Sequence, residues 1–348
     1  MTENIGIFQA DCRDWLREVP PGSVHGVITD PPYFLDSMGN EWSDEKLAEK
    51  TEKARVVGGL AVGMKFDPAQ GPRLQAFLAP VFALLFTVLA PGGFLLTFSQ
   101  PRLSAWMGVA AAGAGFEVRD TVIWEHGGGQ GKAFALNHFV MKLPIPQEEK
   151  DALIASMDGL KTPQLRPEFE VILVAQKPRD GTFVHNWQKY GTGLIRTDFG
   201  ERTQQGSIFR FRKERDGVPH PSPKPVALME RLIEVFTLPG QIVLDPFVGS
   251  GSTAVAAVRT GRKFIGCDID EGYVRLARER VAGALLEAEN GSREDGRNGS
   301  DPKGTAEDGG SRTIPGMLRM GDEAAGEIPG DILHSHREQH PAIAVSES

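Results

Sequence analysis

Val243-Leu-Asp-Pro-Phe-Val-Gly-Ser-Gly-Ser-Thr253 reads as a short strand over 242–244, a glycine-rich loop over 245–252 and a helix over 253–260 closed by Gly261. Glycines in a strand-to-helix loop let a ligand approach the backbone, and the helix N-terminus favours a ligand carboxylate. The next strand, expected over 263–267, runs into Gly266-Cys-Asp268, so an acidic side chain stands 19 residues after Gly249. An acid there can hold two ribose hydroxyls. Asp245, Pro246, Phe247, Gly249, Ser250, Gly251, Ser252, Thr253 and Asp268 are therefore candidate cofactor-binding residues. Gly249-Ser-Gly-Ser-Thr-Ala254 also fits the loose dinucleotide fingerprint, so on this stretch alone a nucleotide-dependent oxidoreductase stays open.

Working outward, Val24-His-Gly-Val-Ile-Thr-Asp30 reads as an apolar strand stopped by Pro31-Pro32, with Tyr33 behind. Proline fixes φ and biases the residue before it to extended geometry, so this turn is stiff. Asp30 offers a carboxylate and Pro31 a backbone carbonyl, with no competing N–H at either proline. Two acceptors in a fixed arrangement suit an aromatic amino nitrogen, whose conjugated lone pair becomes nucleophilic only as the nitrogen turns tetrahedral. Tyr33 offers a flat face for an extruded base. Asp30, Pro31, Pro32 and Tyr33 are the candidate catalytic residues. The bland reading is a proline turn with a surface tyrosine; placement after an apolar strand, together with the glycine-loop motif, favours the functional one.

Between these stretches, residues 74–89 predict a strongly apolar helix with a kink site at Pro80, 94–98 a buried strand, 101–112 a helix, and 116–124 and 169–175 further strands. Val226, Met229, Ile233 and Phe236 share one face of a helix that begins after Pro225. A last helix covers 271 to about 289. Alternating strands and helices predict an α/β, doubly wound, Rossmann-like sheet. Its catalytic half spans 1–125 and its cofactor half 220–289. Residues 126–219, richer in Gly, Pro and basic side chains, form an inserted recognition lobe that includes some core strands. Residues 290–348 carry too little apolar surface to offset ordering and are expected to be disordered.

Asp30-Pro-Pro-Tyr33 together with Asp245-Pro-Phe-Val-Gly-Ser-Gly251 resembles the amino-methylating DNA methyltransferases. The catalytic motif precedes the cofactor loop by 215 residues, an order that resembles the beta class of that family. Gln9-Ala-Asp11-Cys12, His220-Pro-Ser-Pro-Lys-Pro225 and Glu168-Phe-Glu-Val-Ile-Leu-Val-Ala-Gln-Lys177 resemble flanking elements of the same domain, and the resemblance covers most of 6–285. It implies S-adenosyl-L-methionine as cofactor, with Asp11, Cys12 and Lys224 added to its contacts, and double-stranded DNA as substrate. Aspartate before Pro-Pro-Tyr implies methylation of adenine N6, with cytosine N4 as the alternative. The resemblance also leaves room for a homodimer, for a cognate restriction endonuclease and for a cytoplasmic setting near bacterial or phage DNA. A catalytically idle DNA-binding relative is disfavoured by the intact motifs.

The formal net charge of −8 reads poorly for a nucleic-acid binder, but its position matters. Residues 286–348 hold 13 acidic and 6 basic side chains, whereas 161–216 hold 11 basic and 7 acidic. Arg196, Arg202, Arg210, Arg212 and Lys213, interleaved with Phe199, Phe209 and Phe211, are candidate DNA-contacting residues, although a charge run is more often a solvated face. The 2 cysteines form no CxxC pair, the histidines show no metal-ligand spacing, and the sulfonium chemistry needs no metal, so none is expected. The longest apolar stretch, 77–90, is interrupted and too short to cross a bilayer, so no membrane partner is expected.

Overall fold

A computed structural model describes residues 4–33, 68–128, 131, 133–163, 165–199, 205–213 and 223–295. Its strands are β1 (Ile5–Gln9), β2 (Val24–Thr29), β3 (Leu89–Ser99), β4 (Glu117–Glu125), β5 (Phe169–Gln176), β6 (Ile208–Arg210), β7 (Ile242–Asp245) and β8 (Lys263–Asp268). They form one sheet in the order β1-β8-β7-β2-β3-β5-β4-β6. Every neighbouring pair is parallel except the two that involve β5, which runs against β3 and β4.

The helices are α1 (Cys12–Trp15), α2 (Gln70–Val88), α3 (Ser104–Gly113), α4 (Asn137–Val140), α5 (Gln147–Ser156), α6 (Phe183–Tyr190), α7 (Val226–Phe236), α8 (Ser252–Arg259) and α9 (Glu271–Asp295). Helices α7, α8 and α9 cover one face of the sheet and α1, α2 and α3 the other. Successive strand residues feed opposite cores, as the period of a strand requires. Ile28, Leu96, Ile172, Val243 and Phe264 point to the first, and Val27, Leu95, Leu173, Leu244 and Ile265 to the second. The doubly wound sheet expected from the sequence is thus present.

Helix α2 starts four residues before its expected onset and has the length and apolarity of a membrane span. Its apolar stripe is used inside the protein, where Leu74, Leu78, Val81, Phe82 and Leu85 are fully buried. Gly71 sits where an added Cβ would overlap the Trp106 indole, so the glycine lets α2 and α3 close on each other. Helix α9 continues to Asp295, past the residue at which the tail was expected to begin. Residues 296–348, and with them most of the expected disorder, lie outside the described residues.

The inserted lobe is less separate than its composition suggests. Strands β5 and β6, both inside 126–219, are integral to the sheet, with Ile172 and Phe209 buried in its core. Helix α6 is tied to the sheet by Asn186, whose amide donates to the carbonyls of Pro91 (3.1 Å) and Thr192 (2.9 Å). What projects is α4 and α5, between β4 and β5; α5 buries no side chain.

Gly266 allows β7 and β8 to approach at the ends that matter most. A Cβ there would stand 2.5 Å from the Asp245 carbonyl oxygen and 2.6 Å from Val248 Cγ2. Backbone cannot yield as a flexible side chain can, so Gly266→Ala is expected to destabilise the fold by about 2–3 kcal/mol, the upper range of overpacking costs. Guanidinium unfolding checks this; a loss below about 0.5 kcal/mol would show that the strand ends are not tightly apposed.

Candidate active site

Strand β2 pairs with β7 through Gly26↔Val243 and Val27↔Leu244. From this seam the chain winds in opposite directions, through α2 to β3 and through α8 to β8. Such a topological switch point opens a crevice at the carboxyl ends of the strands. Four neighbouring parallel strands deliver an aspartate to that edge. Asp245 and Asp268 end β7 and β8, Asp30 follows β2 directly, and Asp11 follows β1 by two residues. The candidate catalytic and cofactor-binding residues therefore come together, although their sequence positions are far apart.

Asp30 is held on both carboxylate oxygens. The Tyr33 hydroxyl donates to Oδ1, and the Lys224 ammonium donates to Oδ2 at 2.6 Å. Burial, and then the Asp30 charge, push the Tyr33 phenol well above its usual range. Tyr33 is fixed at its backbone by Gln70, a buried side chain whose amide donates to the Tyr33 carbonyl at 2.9 Å. Lys224, expected on the cofactor side, instead lies between Asp30 and Glu170 (3.1 Å), above the rings of Phe98 and Trp124. The segment before α7 thus passes the Asp30 turn, which sets Lys224 against that carboxylate. Burial acts to lower the Lys224 pKa, but the Asp30 and Glu170 carboxylates outweigh it and raise the value. Burial likewise opposes ionisation of Glu170, which Lys224, Lys213 and His126 reverse.

Asp245 is buried and hydrogen-bonded on both oxygens. Thr29 Oγ1 donates to Oδ1 (2.7 Å), Thr253 Oγ1 to Oδ2 (2.7 Å), and the Phe247 N–H to Oδ1 (3.0 Å). Its side chain thus clamps the end of the catalytic strand to the start of α8. Gly251 takes a left-handed conformation, φ +81°, and a Cβ there would meet Ala277 of α9 at 2.8 Å. Helix α8 begins at this glycine without a side-chain cap. Ser250, Ser252 and Thr253 are buried, and Arg280 reaches in from α9 to donate to the Ser250 carbonyl at 2.6 Å.

Asp268 accepts from the Gly249 N–H (2.8 Å) and the Asp270 N–H (3.0 Å), which hold the glycine loop against the β8 end. Its neighbour across the sheet edge is the β1 turn, where the Ala10 N–H donates to the Asp268 carbonyl at 3.0 Å. Asp11 there caps α1 through the Arg13 N–H and pairs with the Arg13 guanidinium. Cys12 is buried, and burial pushes its thiol up to about 12. Pro246 and Phe247 complete the loop, with Phe247 packed on Phe77 of α2.

The expected DNA-contacting side chains are partly tied to acids. Arg196 pairs with Asp198 (2.9 Å), Arg210 with Glu125 (3.2 Å) and Lys213 with Glu170 (3.5 Å), while Arg212 is exposed. Arg202 lies outside the described residues. The interleaved phenylalanines anchor the segment: Phe209 is buried, and Phe199 and Phe211 pack against the core. The sequence reading missed Thr29, Gln70, Glu170 and Arg280. Each acts through a partner remote in sequence, so no local spacing announces it.

Burial raises the Asp245 pKa from 3.8 to about 7, against the three hydrogen bonds it accepts. The folded chain therefore binds this proton more tightly than the unfolded chain. The resulting stability is full below about pH 4 and is lost as pH rises through 7, a change on the order of 4 kcal/mol. His25, whose pKa burial lowers to about 4, gives the opposite slope in that window. The difference between Asp245→Asn and the parent isolates Asp245. In urea unfolding from pH 5 to 8, the variant is expected to gain on the parent as pH rises; parallel curves would overturn the reading.

A DNA methylase family, the N6/N4 methyltransferases, matches residues 24–279. The type II methyltransferase M2.DpnII of Streptococcus pneumoniae is 52% identical over 293 residues, covering 82% of this chain and 90% of its own. The type II methyltransferase M.HindIII of Haemophilus influenzae is 26% identical over 79% of this chain and 94% of its own. In fold, the chain resembles the cytosine-N4-specific PvuII DNA methyltransferase, with a TM-score of 0.52 and 15% identity over 83% of this chain and 93% of that one. With its two motifs joined at the switch point and a family match across most of its length, the chain belongs to the N6/N4 amino DNA methyltransferases.

Proposed function

We propose that the protein methylates N6 of adenine in double-stranded DNA, with S-adenosyl-L-methionine as donor. The observation that carries this is the seam between β2 and β7, which sets the Asp30-Pro-Pro-Tyr33 turn beside the glycine loop of α8. The residues fit the cofactor. Gly251 lets the loop pack against α9 at the head of α8, and the uncapped start of that helix suits a carboxylate. Asp268 and Asp11 stand on adjacent strand ends for the ribose and the adenine ring. When bound, the cofactor supplies an electrophilic methyl group. Ser250, Ser252 and Thr253 line the carboxylate end, with Cys12, Pro246 and Phe247 beside the ring.

In this reading the chain's own work is orientation and hydrogen bonding. The Asp30 carboxylate and Pro31 carbonyl accept the two amino hydrogens of an extruded base and draw its nitrogen toward tetrahedral geometry. Pro32 stiffens the turn, and Tyr33 packs against the base. An aspartate in place of a neutral hydroxyl is the stronger acceptor, and its family association is what favours adenine over cytosine.

Asp30→Ala is expected to lower kcat by at least about 10²-fold with affinity for S-adenosylhomocysteine nearly unchanged. Asp268→Ala is expected to weaken that affinity by roughly tenfold or more, the cost of a lost hydrogen bond to a charged group. Calorimetry and turnover on unmethylated DNA separate the two. Nuclease digestion and mass spectrometry identify the product: N4-methylcytosine without N6-methyladenine would overturn the adenine reading.

Arg196, Arg202, Arg210, Arg212 and Lys213 are proposed to meet the DNA backbone, with Arg196 and Arg210 exchanging the exposed carboxylates of Asp198 and Glu125 for phosphates. Exposed pairs of this kind cost little to open. Replacing Arg210 and Arg212 with alanine is expected to weaken DNA binding and reduce its salt slope by about two. An unchanged slope would remove these residues from the interface. Recruitment of a second copy, or of a cognate restriction endonuclease in a cytoplasmic setting, is part of the same proposal, and sedimentation of the free protein tests the former.

A further inference from the structure

Lys224 is almost fully enclosed, with 7% of its side chain exposed, and its ammonium contacts two carboxylates at once. One is Asp30, whose oxygens the target amino group must reach. The other, Glu170, stands at the start of β5 opposite Trp124 of β4. The Lys224 ammonium and the Tyr33 hydroxyl each donate to one Asp30 oxygen. An amino hydrogen directed at Asp30 Oδ2 competes with the Lys224 ammonium for that oxygen, and the ammonium can shift toward Glu170 as the base enters. Withdrawing an ammonium from its only counter-charge inside the protein would be costly. Glu170, 3.1 Å from the same nitrogen, removes that cost by keeping it paired.

Resting on the amino-methylation reading above, we infer that Glu170 and Lys224 are positioning residues for methyl transfer: Lys224 orients the Asp30 carboxylate, and Glu170 receives the ammonium when the target amino group takes Asp30 Oδ2. No covalent bond or proton changes hands in this exchange. The titratable groups around the nitrogen are Asp30, Tyr33, Glu170, His126 and Lys213, with Asp245 acting on Asp30 from β7. Removing one charge at a time shifts the balance around Asp30 in opposite directions. Glu170→Gln leaves Lys224 locked on Asp30 in a more positive cluster. Lys224→Met leaves Asp30 facing Glu170 without the shared cation.

The test is kcat against pH for the full-length protein with S-adenosylmethionine and unmethylated DNA, beside calorimetry with S-adenosylhomocysteine as a check on folding. Both variants are expected to lose about 10- to 100-fold in kcat with cofactor affinity kept. The acid limb of the profile is expected to move up by roughly one unit in Lys224→Met and to stay or move down in Glu170→Gln. Lys224→Arg, which keeps the charge, should return the limb toward the parent. If Lys224→Met does not fold, Glu170→Gln and Lys224→Arg decide by the same criteria. Parent-like kcat in Glu170→Gln, or acid limbs moving the same way in both charge-removing variants, would overturn the inference. A parent chain that methylates no base amino group would overturn the reading beneath it, a result distinguishable because it appears before any variant is made.

Discussion

Gly26↔Val243 and Val27↔Leu244 pair β2 with β7, and the whole site depends on that seam. It brings the end of one strand, with Thr29 and Asp30, against the end of another, with Asp245, across more than two hundred residues of chain. The Thr29–Asp245–Thr253 hydrogen bonds then extend the seam from β2 to α8. A buried carboxylate is an expensive fastener unless its oxygens are satisfied, and here both are. Asp245 thereby belongs to the framework that aligns the two halves.

The sheet edge at this seam concentrates acids. Parallel strands β1, β8, β7 and β2 present Asp11, Asp268, Asp245 and Asp30 in that spatial order. Each is handled differently: Asp11 by Arg13, Asp268 by loop N–H groups, Asp245 by hydroxyls, Asp30 by a lysine and a phenol. Such a row would repel itself if every member were a bare charge in low dielectric. Burial raises the pKa of Asp245 and Asp268, while the Arg13 partner holds Asp11 down. Burial thus works against the charge at Asp245 and Asp268, and Arg13 works for it at Asp11.

The reversed strand β5 explains how a further acid arrives at the same edge. An antiparallel strand starts where its parallel neighbours finish, so Glu170, second in β5, stands level with Trp124 near the end of β4. Lys224 bridges it to Asp30 over the faces of Phe98 and Trp124, where a cation is favoured by the rings as well as by the carboxylates. The Trp124 indole is itself pinned by a bond from its N–H to the Phe211 carbonyl, which ties the basic segment to this corner.

The sequence by itself determined the layered α/β class, the strand–loop–helix at 242–260 and the stiff Asp30-Pro-Pro-Tyr33 turn. These follow from local causes: apolar periodicity, proline-fixed φ, and a glycine at 251 that can adopt a left-handed backbone. The family resemblance of the paired motifs was legible for the same reason, since each motif is contiguous. Only the tertiary structure decided which strands adjoin, and hence that Asp245 faces Thr29 and Thr253 while Asp268 meets the β1 turn. It set Lys224 between Asp30 and Glu170, and it turned the phenylalanines of the basic segment into anchors for a sheet strand. Those outcomes depend on strand order and on the direction of β5, which are set by packing between elements distant in the chain and leave no mark on local spacing.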